Sequence, residues 1–466
     1  MPVPAAWRFA LCCPRWKPRT PEHPGHEERP EHPRVNTPAA EAAALAARDA
    51  YGRLVAYLVW RWKDLAAAED ALGEALLKAL EHWPQAGVPA EPQAWLLAVA
   101  RRELLQSARH QGVVQRLADD PLLRALMPRE DDPAPAPFLQ AHPVPDNRLR
   151  LMLVCAHPAI DRQVRTPLML QAVLGLDAQR MAAAFLVSPS AMAQRLVRAK
   201  QKIAQAGIRF EEPDAQDLPQ RTHAVLEAVY AAYGWAWDRL GASGEEGETS
   251  SELAAEALYL AELCVALLPD DPEARGLWAL LQFCESRRGA RFVREPDGTE
   301  RFVPLHEQDA ALWDHAGMAR ANALLREAAA LNRMGPYQLE AAIQSAHAQR
   351  CITGRVPWGG ISLLYQGLLQ IAPTLGAHIG HAVALGTAHG AAQGLAALDS
   401  LPATEVNNHA PWWVARSHLL EQQRRWVEAA DALRCGMGLT QDLRVRSYLW
   451  HKLQALNAAL ATDAGP

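Results

Sequence analysis

The chain has 466 residues and a formal net charge of −5, and its length predicts two to four domains rather than one core. Abundant Ala and Leu with almost no alternating β-branched runs favour helices, so we expect an all-α protein. No apolar run reaches the roughly 18 residues that span a bilayer, no apolar signal core begins the chain, and the seven scattered cysteines lack the spacing of a disulfide framework or a zinc site. These features argue against membrane, secreted and zinc-stabilised proteins, and a cytoplasmic protein is expected.

Proline marks the predicted domain boundaries. Residues 1–38 hold nine prolines and mixed charges, a composition that cannot bury enough apolar surface to offset the entropy of ordering, so a disordered tail is expected. Residues 39–118 are predicted to form a helical block, and 119–145, with seven prolines, a linker. A second helical block covers 146–210, and a third, much larger region covers 217–466.

The first block predicts a pair of antiparallel helices followed by a third helix. Asp64 is a suitable N-cap for a helix over 65–82, whose apolar side chains recur at helical spacing. They are Leu65, Ala68, Leu72, Leu76 and Leu80. The opposite side carries the acidic residues Glu69, Asp70 and Glu74. Like charges one turn apart repel each other, so an acidic helix face suggests a basic partner. A helix face that is merely solvated explains the acidic residues equally well.

The third helix of this block is predicted from Pro92 to about His110. Its C-terminal half carries the cations Arg101, Arg102 and Arg109. Compensation of the helix dipole explains cations at this end as readily as contact with DNA does, so both interpretations stay open.

Residues 187–200 are the most informative segment, because they predict the second helix of a helix-turn-helix. Ser188 can accept hydrogen bonds from the first helical turn, and Pro189 suits the first helical position. A short Ala-rich helix over 179–185 precedes it, with only a tight turn between them. One side is an apolar stripe of Met192, Leu196, Ala199 and Ile203. The candidate DNA-binding residues are Ser190, Gln194, Arg195, Arg198, Lys200 and Lys202.

The charge around this helix differs in sign from that of the whole chain. Between Asp161 and Arg209 eight basic residues stand against two acidic ones. Such an excess is typical of a module that binds phosphate groups. A basic helix that merely faces water is the alternative, but the cap, the short preceding helix and the charge together favour DNA binding.

The third region predicts paired helices. Helices over 411–423 and 426–437 are separated by a short turn, and Ala429 and Ala430 lie where close packing needs small residues, which is typical of tetratricopeptide-like repeats. Stacked pairs of this kind commonly form a concave surface for a protein or peptide.

Earlier segments of the third region have compatible lengths, although the 34-residue repeat is degenerate. The predicted helices are 253–268, 272–287, 309–332, 337–350 and 361–371. Residues 241–250 predict a flexible loop, and 291–305 predict a small hairpin around Glu-Pro-Asp-Gly-Thr.

Several segments resemble the extracytoplasmic-function (ECF) group of bacterial sigma factors. In the first block they are AEDALGEAL at 68–76 and AWLLAVARR at 94–102. In the second they are CAHPAI at 155–160 and MAQRLVRAK at 192–200. The second set is similar to the subgroup that carries a long, tetratricopeptide-like C-terminal extension. The resemblance covers roughly residue 39 to the C-terminus.

This resemblance implies a sigma factor that binds core RNA polymerase and promoter DNA and performs no chemistry itself. Its polymerase-binding residues would be Glu69, Asp70, Leu72 and Glu74. The −10 element would be bound by Arg101, Arg102 and Arg109, and the −35 element by the six candidates on the helix-turn-helix. The extension would regulate activity or bind a protein or peptide partner, and no cofactor or metal is implied.

Two other functions remain open from the sequence. One is a DNA-binding regulator with an interaction scaffold that does not bind core polymerase. The other is a metal-dependent enzyme built on His378, His381 and His389, although no further ligand joins them at suitable spacing. The sequence has no Gly-rich phosphate loop, nucleophile elbow or HExxH motif, so an enzyme is not expected.

Overall fold

The computed structural model describes residues 51–110, 147–185, 187–206, 216–239, 245–295 and 298–463. These residues are helical apart from turns and one two-stranded hairpin, which confirms the predicted all-α fold. They form two compact units, and the boundary between the units falls between Ala228 and Val229. The predicted tail over 1–38 and linker over 119–145 lie outside the described residues.

The first unit contains seven helices in its described part and the start of an eighth. They are α1 over 51–62, α2 Leu65–Ala86, α3 Pro92–His110, α4 Arg148–Cys155, α5 Arg162–Leu174, α6 Ala178–Ala184, α7 Pro189–Gln205 and α8 Leu218–Arg239. The predicted third helix matches α3. The predicted helix over 65–82 continues by four residues, to Ala86.

Helix α2 starts where the sequence predicts, since the Asp64 carboxylate accepts a hydrogen bond from the Ala67 N–H at 3.0 Å. Its apolar stripe is wrong at the C-terminal end, because Leu76 is half-buried and Leu80 is 44% exposed. The helix instead buries small residues, which allow close approach. These are Ala68, Ala71, Ala75 and Ala79. Trp83 then packs edge-on against Trp95 of α3, with 5.4 Å between ring centroids.

The second unit is built from helices that pack against their neighbours in the chain. Its elements after α8 are α9 Glu245–Leu267, α10 Pro272–Glu285, β1 Phe292–Arg294, β2 Glu300–Phe302, α11 His315–Ala330, α12 Pro336–Ala348, α13 Arg350–Thr353, α14 Trp358–Ile371, α15 Leu375–His389, α16 Ala391–Asp399, α17 Ala403–Val406, α18 Ala410–Gln422, α19 Trp426–Leu439 and α20 Leu443–Asp463. Short 3₁₀ turns occupy Arg288–Ala290 and Ala310–Leu312.

The hairpin predicted at 291–305 is confirmed. Strands β1 and β2 are antiparallel, with Phe292 opposite Phe302. Ala429 and Ala430 are buried in the pair α18/α19, and the Ser417 hydroxyl on α18 donates to the Ala429 carbonyl at 2.7 Å. Small residues at this contact thus let a side chain of one helix reach the backbone of the other.

Two predictions for this region are wrong. The loop predicted at 241–250 is helical from Glu245 onward, because its Glu-rich sequence suits the first turns of a helix. The helix predicted at 309–332 is interrupted, since the Asp314 carboxylate accepts from the Gly317 N–H at 2.9 Å and starts α11 anew. Among the described residues no helix is both long and apolar enough to cross a membrane.

Buried polar contacts join the helices of the second unit. The Glu273 carboxylate on α10 accepts from the backbone N–H groups of Tyr337 and Gln338 at 2.9 and 3.1 Å, so it caps α12 from a neighbouring helix. A Cβ at Gly335 would overlap this carboxylate, which explains the glycine. The Tyr230 hydroxyl donates to the Glu340 carboxyl at 2.8 Å, and burial raises the pKa of Glu340 to about 8.

We predict that the second unit loses stability as the pH rises toward and through 8. The folded pKa of Glu340 lies above its ordinary value of 4.5, so its contribution to stability is complete below pH 4.5 and is lost as the carboxyl ionises near pH 8. The loss is on the order of a few kcal/mol. Glu340→Gln should flatten the pH dependence of the melting temperature between pH 5 and 9. If the melting temperature of this variant depends on pH as it does in the unmodified chain, ionisation of Glu340 is not the cause of the loss.

Candidate nucleic-acid interface

The two helices of the predicted helix-turn-helix correspond to α6 and α7. The Ser188 hydroxyl accepts from the Ala191 N–H at 3.2 Å, and Pro189 is the first residue of α7, as the sequence predicts. The apolar stripe is also confirmed, because Met192, Leu196, Ala199 and Ile203 are all buried. The Val187 N–H donates to the Ala182 carbonyl at 3.1 Å and closes the connection to α6. Leu186 lies outside the described residues.

The polar side of α7 is open to solvent at most of its candidate positions. Ser190, Gln194, Arg198 and Lys202 are exposed, and Arg195 is half-buried. An Arg198 N–H donates to the Gln194 side-chain oxygen at 3.3 Å, so two candidates one turn apart support each other. This face presents exposed donors and cations of the kind that contact phosphates and base edges.

Lys200 has a different environment from its neighbours. Its ammonium forms an ion pair with the Glu69 carboxylate on α2, and the two side chains are only 16% and 9% exposed. Burial raises the pKa of Glu69, while Lys200 opposes the rise. Sequence reasoning assigned Lys200 to DNA and Glu69 to a protein partner, whereas the structure brings them to each other.

The other polymerase-binding candidates divide between surface and core. Asp70 and Glu74 are exposed on α2. Leu72 is 1% exposed and belongs to the core, because it shares the face of α2 that carries Ala68 and Ala75. Asp70 and Glu74 are therefore the exposed candidates of α2, and Leu72 supports this surface from beneath.

Helix α3 carries the second set of cationic candidates. Arg102 is exposed and Arg101 is half-buried, while the Arg109 side chain lies outside the described part of the chain. Glu103 forms an ion pair with Lys78 of α2. Its negative charge is therefore largely compensated at the surface where Arg102 lies.

Arg165, one of the basic residues counted from the sequence, is not available to bind the phosphate groups of DNA. The guanidinium is buried and donates to the carbonyls of Ile160 and Pro158 at 3.0 and 3.2 Å, so it fixes the turn before α5. One of the eight basic residues counted from the sequence thus has a structural role. Only its burial reveals this, since its sequence context is that of an ordinary helix residue.

The histidines of the metal hypothesis do not form a metal site. His378, His381 and His389 lie along α15, and within the described ranges no group of three His, Cys, Asp or Glu residues is arranged to hold a metal ion. His381 is half-buried, and burial lowers its pKa.

Comparison with known protein families identifies two segments. Residues 48–113 match sigma-70 region 2, and residues 221–329 match a family of unknown function, DUF6596. The first match contains α1, α2 and α3, and therefore the acidic candidates and the arginines of α3.

Two curated relatives extend these matches. An uncharacterized protein of Rhizobium meliloti, R00370, is 35% identical over 425 residues, which cover 91% of this chain and 97% of the relative. The probable RNA polymerase sigma factor RfaY of Xanthomonas campestris pv. campestris is 30% identical over 209 residues, which cover 42% of this chain and 50% of that protein. No solved structure matches the chain.

The match to the Rhizobium protein runs through both units, whereas the match to region 2 is confined to the first. The chain therefore belongs to one family with R00370 of Rhizobium meliloti, and its sigma-70 region 2 and likeness to the Xanthomonas protein support a sigma-factor-like role in transcription.

Proposed function

We propose that the chain is an ECF-group sigma factor that binds core RNA polymerase and directs promoter-specific initiation. The observation that carries the proposal is the presence, in one chain, of a sigma-70 region 2 at 48–113 and of the capped helix α7 with an exposed cationic face. A region for polymerase and −10 contact and a helix for major-groove contact are the two parts that such a protein needs.

In this proposal Asp70 and Glu74 on α2 contact core polymerase, and the exposed Arg102 with its neighbours Arg101 and Arg109 contributes to −10 contact. Residues of α7 enter the major groove of the −35 element. These are Ser190, Gln194, Arg195, Arg198, Lys200 and Lys202. The exposure of most of these residues supports the assignment. Arg195 and Arg198 have the chemistry to bind either phosphates or guanine edges.

The residues from 217 onward regulate activity or bind a protein partner in this proposal. The paired helices of the second unit, with close contacts such as Ser417 to the Ala429 carbonyl, support a scaffold role. A tetratricopeptide-like arrangement is our interpretation of these pairs.

The direct experiment is transcription in vitro with core polymerase on a library of genomic fragments. Specific transcripts that need the purified chain support the proposal. A chain that binds DNA fragments yet neither binds core polymerase nor starts transcripts would instead be a separate DNA-binding regulator.

We expect Arg198→Ala to weaken binding to a promoter found in this way. If Arg198 neutralises a phosphate, the slope of log affinity against log salt falls by about one unit. Arg434→Ala is the control, because Arg434 is an exposed arginine on α19 in the second unit and pairs with Asp431. Equal promoter affinity for Arg198→Ala and the unmodified chain would argue against α7 as the DNA-contacting helix.

Reversal of the acidic surface, Asp70→Lys with Glu74→Lys, should reduce affinity for core polymerase at least tenfold, since both residues are exposed and change sign. The control is the double variant Glu405→Lys with Asp431→Lys. It changes the net charge by the same amount, at two exposed residues of the second unit. Binding assays without DNA measure the effect. Unaltered polymerase affinity would show that this surface is merely solvated.

Removal of residues from Asp217 onward tests the role of the extension. We expect the shortened chain to transcribe at a different level from the full chain, because a regulatory or partner-binding region would be lost. Identical transcription by both chains, under every condition tried, would contradict a regulatory role.

A further inference from the structure

A small cavity lies between the first turns of α5 and the first half of α8. Its volume is about 180 Å³, many times the space that one water needs, and all of its lining residues belong to the first compact unit. Six of the lining residues are polar or charged, and those of α8 recur at the spacing of one helix face. They are Arg162, Arg165, Thr166, Gln220, His223 and Glu227. The candidates for polymerase and DNA contact are not among them.

Two arginines one turn apart on α5 give the cavity its cationic side. Arg162 is exposed, and no hydrogen bond or ion pair joins its side chain to another residue in the described part of the chain. Arg165 is buried, and the carbonyls of Ile160 and Pro158 occupy its Nε and Nη2. Among the described residues its Nη1 has no hydrogen-bond acceptor. A ligand small enough to enter the cavity can therefore use this nitrogen.

The positive charge around the cavity is only partly compensated. Burial lowers the pKa of the Arg165 guanidinium, and the charges of Arg162 and Arg221 lower it further, whereas Asp161 and Glu227 oppose the shift. Arg221 is buried as well. One carboxylate pairs with it at 2.9 Å, while its Nε has no hydrogen-bond partner among the residues that the structure covers. An anion in the cavity would relieve the repulsion among the three guanidinium groups.

The other polar residues of the cavity restrict which anion fits. Thr166, Gln220 and His223 can each donate a hydrogen bond, as an oxyanion requires. Glu227 is half-buried, and its carboxylate can only accept. It repels an oxyanion that carries no proton, such as sulfate or a DNA phosphodiester. Hydrogen phosphate avoids this repulsion, because its P–OH group donates to a carboxylate, and so does the hydroxyl group of a small phosphate ester.

We propose that this cavity is a binding site for a small phosphate-bearing ligand, either hydrogen phosphate or a hydroxylated phosphate monoester. Arg162 and Arg165 hold the phosphate oxygens, and Glu227 accepts a hydrogen bond from the hydroxyl group of the ligand. The site does not depend on the proposed function, since its ligand is distinct from promoter DNA and from polymerase. Occupancy joins α5 of the helix-turn-helix block to α8, the first helix of the extension.

Titration calorimetry of the full-length chain with sodium phosphate tests the proposal, with ionic strength held constant by sodium chloride. Arg165 fixes a turn, so the variant used is Arg162→Gln, which removes a charge that no other described residue pairs with. We expect it to weaken phosphate binding about tenfold or more, since one charge-assisted contact is lost. Arg446→Gln is the control, because Arg446 is an exposed arginine on α20 in the second unit.

Two further measurements locate the ligand and identify its chemistry. Phenylglyoxal modifies accessible guanidinium groups, so phosphate should protect Arg162 and leave Arg446 reactive, as peptide mapping would reveal. Sodium sulfate should bind at least about tenfold more weakly than phosphate, because Glu227 repels it. Glu227→Gln should narrow this difference, since an amide can donate to sulfate.

Each outcome decides for or against the proposal. Saturable phosphate binding that weakens in Arg162→Gln and persists in Arg446→Gln supports it. Absence of saturable binding, or equal affinity in these two variants, overturns it, since the cavity then holds only water. Sulfate binding as tight as phosphate binding also overturns it. If duplex DNA of unrelated sequence displaces phosphate and protects Arg162, the cavity contacts the DNA backbone and the proposal is wrong. None of these measurements uses core polymerase, so the proposed function is tested separately.

Discussion

Two opposite charges withdrawn from water, Glu69 on α2 and Lys200 on α7, set the arrangement of the first unit. The contact decides which face of each helix is available. On α2 it leaves Asp70 and Glu74 exposed, and on α7 it leaves Arg198 and Lys202 exposed. Surfaces proposed for polymerase and for DNA are thus partly occupied by each other. A weak, enclosed ion pair is suited to this role, because it specifies one partner without adding much stability.

Local sequence rules predicted much of the fold. Asp64 and Ser188 accept the expected backbone hydrogen bonds, α3 has the expected bounds and α7 the expected start, and the hairpin pairs Phe292 with Phe302. These features depend on capping, helical periodicity and turn residues, all of which act over a few positions.

Features that depend on distant neighbours were not predictable in this way. The pairing of Glu69 with Lys200 joins residues from separate blocks, and the burial of Arg165 depends on the carbonyls of a turn. Leu80 is exposed although its spacing is helical, because α2 turns its alanines toward its neighbours instead. Spacing identifies one apolar face, but tertiary packing decides its exact direction.

The second unit shows a different use of buried polar groups. Glu273 caps α12 from α10, and Tyr230 and Tyr233 donate to Glu340 and Glu285, each at 2.8 Å. Such contacts fix helices in one register, which suits a rigid scaffold. The Rhizobium relative covers this unit as well as the first, so both units are features of the family.

The distance between α2 and α7 tests the central claim most directly. Fluorescent dyes at the exposed positions Ala66 and Ala204, each about one turn from the ion pair, report it by energy transfer. In the free chain we predict a separation of about 20 Å, whereas Glu69→Lys, which places two cations together, should lengthen it. A long distance in the free chain, or the same short distance in the Glu69→Lys variant, would contradict the account.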